Sequence, residues 1–350
     1  MKENRIPEPI MLDDEKPSQE LLREAFEIAL RIWELQPWDQ PMGENQLLAV
    51  EHADGRRYVL SVLGEYGEHR ALTIYRDVAS YARIAAIPPG DEIRVQDAFF
   101  SIPQRQFAFL KANELLKGER VALKASGVKF PRGVYPSLES FVPGYATEVM
   151  GAGELAEAID AAKVFLDFMS HYSAADINIY RHNGDLVSTW RESPDGKWTL
   201  GEDEFSPLFP VAVKLSQPLL EKVAALPVNE NLNLEIGAIA VPTGKSKSGR
   251  GYIGRFMVAV DGATQFAMGV DILDPPEGRE FDWTPAAEFA LKVMVKSGYR
   301  PGRLGVLGES LKGVLSGLCS TVLKGTTLLP HCECDAVREV YEVAAEQMCC

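Results

Sequence analysis

A basic, glycine-rich segment at residues 243–251 has the composition of a phosphate-binding loop. It contains Lys245, Lys247 and Arg250 and no acidic residue. A Gly-Lys-Ser sequence within it imitates the end of a Walker A motif, but the position that needs the first glycine is Ile239. We expect no helix after the loop, so a phosphate would find no helix N-terminus there. Two interpretations remain, a site for an anion or acidic partner and a solvated hairpin loop.

Cysteine and histidine side chains near the C-terminal end are potential zinc ligands. His331, Cys332 and Cys334 lie within four residues, and Cys349-Cys350 occupies the last two positions. The helix predicted over 335–348 would separate the two groups by about 20 Å, because each helical residue rises about 1.5 Å. One zinc ion therefore cannot bind both groups. The alternatives are a metal-binding adaptor site shared between subunits and adventitious thiols.

A second basic and aromatic segment contains Lys129, Arg132, Tyr135 and Tyr145 within 17 residues. Its prolines and glycines predict an ordered loop over 126–150, because flexible linkers lack such apolar bulk. An aromatic and basic loop can line a ligand pocket. The alternative is a strap packed over the N-terminal sheet, since loop aromatics commonly serve packing.

No complete catalytic motif is present. The sequence around Ser310 imitates a nucleophile elbow, but Lys312 occupies a position where that turn needs glycine. Ser310 is instead interpreted as a helix N-cap. The other histidines are scattered, without cysteine or carboxylate at metal-ligand spacing. We therefore predict no catalytic residues and no cofactor, which favours a protein that is not an enzyme.

Composition restricts the partners and the location. The chain has 350 residues and a net charge of −14, which disfavours nucleic acid as a partner because phosphate binding needs a basic surface. All five cysteines lie in the last 32 residues, unlike a secreted disulfide framework. The N-terminus has no apolar signal region, and no stretch approaches the roughly 20 apolar residues of a membrane span. We expect a cytoplasmic protein.

These residues must be positioned by helices and strands. The predicted order of those helices and strands indicates an α+β fold of two related units, each a mixed or antiparallel sheet with helices packed on it. The predicted domains are 1–150, a connecting helix within 151–173, and 174–350, which begins with a β-meander. A ββαβαβ order occurs twice. The matched elements are hairpins 58–75 and 255–270, helices 78–86 and 285–297, strands 98–102 and 303–307, helices 104–116 and 310–323, and strands 120–125 and 326–329. This order indicates either a duplication or chance.

Several glycine and aromatic patterns carry a family resemblance. They are Trp33, the hairpin over 58–75, Phe130-Pro-Arg-Gly-Val-Tyr-Pro136 with Phe141-Val-Pro-Gly-Tyr145, and Arg300-Pro-Gly-Arg-Leu-Gly-Val306. With these patterns the chain resembles uncharacterised bacterial proteins known only as domains of unknown function. The resemblance implies a protein of two α+β modules and no particular activity.

The function is not determinable from these residues, and three hypotheses remain. The preferred one is a cytoplasmic, non-enzymatic binding or regulatory protein, because the doubled topology has no catalytic constellation. The second is an enzyme that acts on a small anionic or phosphorylated substrate, with Lys245, Lys247 and Arg250 as anion contacts. The third is a C-terminal cysteine metal-binding adaptor. A protein partner or a small anionic ligand fits the sequence, and the oligomeric state is not determined by it.

Overall fold

Two β-sheets with helices packed on them organise the computed structural model of this chain. The structure describes residues 11–13, 15–39, 47–64, 67, 69–76, 80, 99–172, 186–204, 213–330 and 334–348. The predicted α+β class is confirmed. Within this described part, no helix has the length and apolar content needed to cross a bilayer.

The first sheet has eight strands. They are β1 (Leu48–Glu51), β2 (Arg57–Leu63), β3 (Arg70–Tyr75), β4 (Gln104–Leu110), β5 (Tyr135–Phe141), β6 (Glu148–Val149), β7 (Leu186–Glu192) and β8 (Trp198–Glu204). Their order across the sheet is β6-β5-β4-β3-β2-β1-β7-β8. Neighbours run antiparallel except β1 and β7, which are parallel.

Three helices cover one face of the first sheet: α1 (Gln19–Leu35), α2 (Lys117–Ser126) and α3 (Ala152–His171). Helix α1 begins directly after Ser18, whose hydroxyl accepts a hydrogen bond from the Leu21 N–H at 3.2 Å. Phenylalanines from the helices and the sheet, among them Phe26, Phe107 and Phe165, are buried together in the core. Their apolar burial is the main stabilisation of this half.

The second sheet has five strands: β9 (Val228–Lys245), β10 (Gly251–Asp261), β11 (Phe266–Leu273), β12 (Arg300–Leu307) and β13 (Thr327–Leu328). Their order is β11-β10-β9-β12-β13, and β12 runs parallel to both of its neighbours. The helices are α4 (Gln217–Ala224), α5 (Thr284–Ser297), α6 (Glu309–Cys319) and α7 (Asp335–Met348). The first three pack on one face, whereas α7 packs on the other against residues such as Val258 and Leu307.

The two sheets are joined through the segment that follows β5. Tyr145 forms a β-bridge with Tyr252 of β10, and the Ile253 N–H donates to the Gly144 carbonyl at 2.8 Å. Arg250, only 3% exposed, adds a side-chain connection. Its Nε donates to the Ala146 carbonyl at 2.8 Å, and its Nη2 donates to the Ser140 carbonyl at 3.0 Å.

The described part of the N-terminal segment also connects both halves. Met11 forms a β-bridge with Arg279. Asp13 accepts a hydrogen bond from the Glu154 N–H at 2.9 Å and thereby caps α3. A Cβ at Gly151 would lie 2.2 Å from the Asp13 carbonyl oxygen, so this contact requires glycine.

Several predicted elements of the first half are wrong. Residues 99–101 are helical rather than part of a strand. Strand β4 occupies most of the predicted helix 104–116; its apolar residues are buried on both faces, which hides the period of two. Helix α2 replaces the predicted strand 120–125, because the Glu119 carboxylate accepts from the Leu116 N–H at 2.6 Å and begins a helix. Strand β5 divides the predicted loop 126–150.

The duplication is not confirmed. The elements predicted to match β12 and β13 were strands 98–102 and 120–125, but residues 99–101 are helical and helix α2 contains residues 120–125. The predicted helix 78–86 lies outside the described residues except for Ser80. The division into domains stays a prediction. One observation bears on it: β7 and β8, placed in the second domain by the sequence, hydrogen-bond with the first sheet through β1.

Replacement of Arg250 by alanine is expected to lower the free energy of unfolding by about 3 kcal/mol, since the buried Ser140 carbonyl and the half-buried Ala146 carbonyl lose a charged donor. Urea unfolding followed by circular dichroism measures this change. Lys245→Ala is the matched control, because Lys245 is exposed. Equal stabilities of the two variants would contradict a joining role for Arg250.

Candidate functional site

A cavity of about 400 Å³ opens beside the N-terminal turns of α3, at the ends of four strands of the first sheet. Strands β2 and β4 begin there, and β3 and β5 end there. Its charged lining residues are Arg56, Arg57, Arg76, Arg105, Glu154 and Glu157. Among the described lining residues positive charge exceeds negative charge by two, in a chain whose net charge is −14. We call this space the arginine cavity.

The strand ends bring the arginines together. Arg57 begins β2, and the preceding turn contains Gly55 with a φ of +89°, a conformation that favours glycine. Arg76 directly follows the last residue of β3, and Arg105 is the second residue of β4. Because β3 and β4 are antiparallel, the end of one strand lies beside the start of the other.

Three of the four guanidinium groups have carboxylate partners. The N–O distances are 2.7 Å for Arg105–Glu157, 2.7 Å for Arg56–Asp160 and 3.2 Å for Arg57–Asp203. Arg76 is half-buried, and no ion pair joins it to any other residue that the structure describes. Among the described residues, therefore, Arg76 is the lining guanidinium without a carboxylate partner.

The remaining lining is apolar and aromatic. Tyr75, Phe141 and Val142 contribute to it, and all three are buried. Glu154 on the opposite side is 5% exposed and accepts a hydrogen bond from the Ser140 hydroxyl at 2.8 Å. The cavity therefore combines a charged end with an apolar wall, which is the usual composition of a small-molecule site.

His52 lies behind the cavity and is 6% exposed. Its Nε2 is 2.7 Å from the Tyr58 hydroxyl, and Tyr58 lines the cavity. The same nitrogen is 3.4 Å from Oδ2 of Asp160, while Nδ1 is 3.3 Å from Oε2 of Glu192. Burial, followed by the charge of Asp160, raises the pKa of Tyr58, so this phenol keeps its proton.

A row of buried polar residues crosses the sheet face opposite the helices. Ser61, Thr73, Gln106 and Glu139 lie side by side on β2, β3, β4 and β5. The hydroxyls of Ser61 and Thr73 have no hydrogen-bond partner among the described residues. Burial and the nearby charge of Glu119 raise the pKa of Glu139 to about 7. Glu139 therefore changes charge near neutral pH.

The structure brings together only part of the residue set predicted from sequence. Tyr145 and Arg250 are in contact, with the guanidinium carbon 5.8 Å from the ring centroid. Lys129 and Arg132 are exposed at the other end of β5, about 20 Å away for a strand of this length. Tyr135 is half-buried at the start of that strand. A ligand role for these residues stays a prediction.

The basic loop is shorter than expected, because β9 extends to Lys245 and β10 begins at Gly251. Lys245 and Lys247 are exposed, whereas the Arg250 side chain points into the junction between the sheets. No helix follows Ser246, as predicted. An anion at this turn would therefore meet two lysines and not three cations.

The proposed metal ligands are only partly described. Cys334 is buried, and burial, followed by the charge of Glu235, raises its pKa to about 11. A thiol in this state is a poor metal ligand because the thiolate is the binding form. His331 and Cys332 lie outside the described residues. The described residues include no group of three side chains that could hold a metal ion. The metal role stays a prediction.

Ser310 is not the N-cap of α6, since Gly308 occupies that position.

Sequence reasoning missed the arginine cavity and the contacts of His52 with Tyr58, Asp160 and Glu192. Arg56, Arg76 and Arg105 are separated by up to 49 positions in the chain, so spacing carries no signal that joins them. Their place at the ends of strands was a usable signal, because strand ends in one sheet meet at one edge. It required the correct assignment of β4, which the sequence had predicted as a helix.

Glu139→Gln is expected to remove part of the pH dependence of stability. The folded protein holds the Glu139 proton up to about pH 7, whereas the ordinary pKa is 4.5. The free energy of unfolding therefore falls by about 3 kcal/mol between about pH 4.5 and pH 7 on account of this group. Urea unfolding across that range measures the slope. The exposed Glu148, changed to Gln, is the control, and an unchanged slope in E139Q would contradict the assignment.

Comparisons with known proteins found a similarity to one family model. No curated protein and no solved structure matches it. A family model matches residues 23–187, just under half of the chain, and this range runs from α1 into β7. It contains the four arginines of the cavity together with His52 and Asp160, but not Glu192. The resemblance to proteins of unknown function is confirmed over this range, which is similar to the Domain of unknown function (DUF7309).

Proposed function

We propose that this protein binds a small organic anion in the arginine cavity. The observation that carries the proposal is the Arg76 guanidinium, which has no carboxylate partner in the described part of the chain, beside three other arginines in a space of about 400 Å³. Acidic residues outnumber lysines and arginines in this chain, 50 to 36, so a local excess of positive charge is an uncommon feature. Such an excess attracts anions by electrostatic steering and retains them by charged hydrogen bonds.

The geometry of a guanidinium narrows the class of ligand. Arginine presents parallel N–H donors that match the two oxygens of a carboxylate or phosphate. Arg105 can contribute at the same end, because it is 27% exposed even while paired with Glu157. We therefore place the carboxylate or phosphate group of the ligand between Arg76 and Arg105.

The apolar wall indicates what the rest of the ligand is. Tyr75, Phe141 and Val142 offer no charge to pair with a second ionic group. An aromatic or aliphatic body of a few carbon atoms would bury its surface there, at about 25 cal/mol per Å². The proposed ligand is thus an amphipathic acid and not a highly charged nucleotide.

This proposal is a specific form of the non-enzymatic binding protein favoured by the sequence, with the cytoplasm as the proposed location. The alternative is an enzyme that acts on the same anion, in which case Tyr58 and His52 would be the groups nearest to it. Turnover of the bound acid would distinguish the enzyme from the binding protein. For the basic turn at Lys245 and Lys247, exposure favours a weaker and less specific anion contact.

Calorimetric titration with benzoate and phenyl phosphate tests the proposal. Arg76→Ala is expected to weaken binding about tenfold or more, since a charged hydrogen bond contributes roughly 1.5–3 kcal/mol. Arg76→Lys should fall between wild type and R76A, because lysine retains the charge and loses the paired donors. Arg132→Ala is the matched control, as Arg132 is exposed and distant from the cavity. Absence of binding to both probes, or equal binding by R76A and wild type, would refute the proposal.

A further inference from the structure

The outer edge of the second sheet is apolar and exposed. Strand β11 is the last strand on this side, and β10 is the described strand that pairs with it. Phe266, Val270 and Ile272 of β11 are 71%, 58% and 58% exposed. Natural proteins commonly protect an edge strand with lysine, proline or a covering element, because an open edge pairs readily with another chain. Strand β11 contains neither lysine nor proline, and Asp271 is its one charged residue.

The backbone groups of Ile272 and Val270 face outward from this edge. The Ile272 N–H donates to Oδ1 of Asp271 in its own strand at 2.9 Å, so it is turned away from β10. In an antiparallel ladder, alternate residues direct both backbone groups to the same side, and Val270 therefore faces outward as well. Their partners in β10, Phe256 and Val258, lie on the sheet face that carries α7. The edge thus offers backbone donors and acceptors next to exposed apolar side chains on that face.

The opposite face of the same edge contains a groove of about 260 Å³ between β11 and α5, which we call the edge groove. Lys292 and Lys296 of α5 line it, together with Gly269 and Asp271 of β11. Both lysines are exposed. Nζ of Lys292 is 2.7 Å from Glu288, whereas no ion pair joins Lys296 to any residue that the structure describes. Gly269 lies directly on α5, because a Cβ there would be 2.9 Å from a side chain of that helix.

We propose that β11 pairs antiparallel with β11 of a second copy of this chain, about a two-fold axis at Val270, and so joins two five-stranded sheets into one. This register places Val270 of each copy opposite Val270 of the other, and their outward backbone groups exchange hydrogen bonds. Asp271 of each copy then lies opposite Gly269 of the other, at the edge groove. A register centred on Asp271 would instead place two like charges directly opposite each other, which is destabilising.

Charge complementarity identifies the occupant of this edge as a second copy. Asp271 and the lysines of the edge groove belong to the same edge, so a single two-fold axis forms both acid–lysine contacts at once. Once paired with Lys296 of the other copy, Asp271 releases the Ile272 N–H to the neighbouring strand. The Val270 and Ile272 side chains leave water in the same step and contribute about 25 cal/mol per Å² of buried apolar area. None of these residues lines the arginine cavity.

Sedimentation velocity of the full chain over a range of concentrations tests the dimer. Val270→Lys is expected to raise the dimer dissociation constant about tenfold or more, because two lysines would face each other and two buried valines would be lost. The variant should fold, since Val270 is exposed in the single chain. Val121→Lys is the matched control: Val121 is 61% exposed on α2, which packs on the first sheet, so the dimer should persist.

Two further variants test the register. Val270→Cys should form a disulfide between the two copies under mild oxidation, because the Cα atoms of such a pair lie about 5.5 Å apart. Phe266→Cys is the control, since its two copies would lie eight positions apart along the strand, about 26 Å. Mass spectrometry of the linked peptides separates this bond from disulfides of the natural cysteines.

Charge reversal tests the contact at the edge groove. Asp271→Lys alone and Lys296→Glu alone are expected to weaken the dimer several-fold, and the two changes together should restore most of the loss. A wild-type chain that stays monomeric at every concentration would overturn the proposal. So would a dimer that V270K leaves unchanged, or one in which V270C does not cross-link. The proposed anion site is unaffected by these outcomes, because its residues lie in the first sheet.

Discussion

The buried guanidinium of Arg250 connects the two sheets, and the arrangement of both halves depends on this connection. Arg250 of the second sheet donates to the carbonyls of Ser140 and Ala146, which flank the end of β5. The Ser140 hydroxyl donates in turn to Glu154, whose carboxylate is 3.9 Å from Arg105 of the cavity. Because these contacts are largely buried, the loss of any one partner would leave a desolvated polar group and would cost free energy of folding. The junction and the cavity are therefore parts of one polar network.

The distribution of acids explains why an acidic protein can hold a positively charged cavity. Asp160, Glu157 and Asp203 each form an ion pair with one arginine at the cavity rim, which orients three of the four guanidinium groups. These pairs are partly exposed, so their contribution to stability is small, about 0–1 kcal/mol each. Their effect is on geometry. A ligand would meet arginines whose positions are already restricted, which lowers the entropy cost of binding.

Sequence reasoning succeeded where local signals and tertiary packing agree. In the second half, the meander at β7 and β8, the hairpin of β10 and β11, and helix α7 were all predicted close to their observed limits. Both turns contain Asp-Gly, and helix α7 has one apolar face. The prediction from sequence failed for β4 and α2. Strand β4 is buried on both faces, so its apolar residues do not alternate, and α2 is short and decided by one Glu119 hydrogen bond.

By itself the sequence determined the α+β class, most elements of the second half and the absence of any complete catalytic motif, because these follow from local periodicity and turn chemistry. Only the tertiary structure decided which charged residues share a site. Arg250 looked like an anion ligand and is a connection between sheets, whereas Arg76 had no visible partner in sequence and lies in a cavity. The reason is physical: a charge acquires its role from the groups within a few ångströms, and β-sheet pairing brings those groups together from distant parts of the chain.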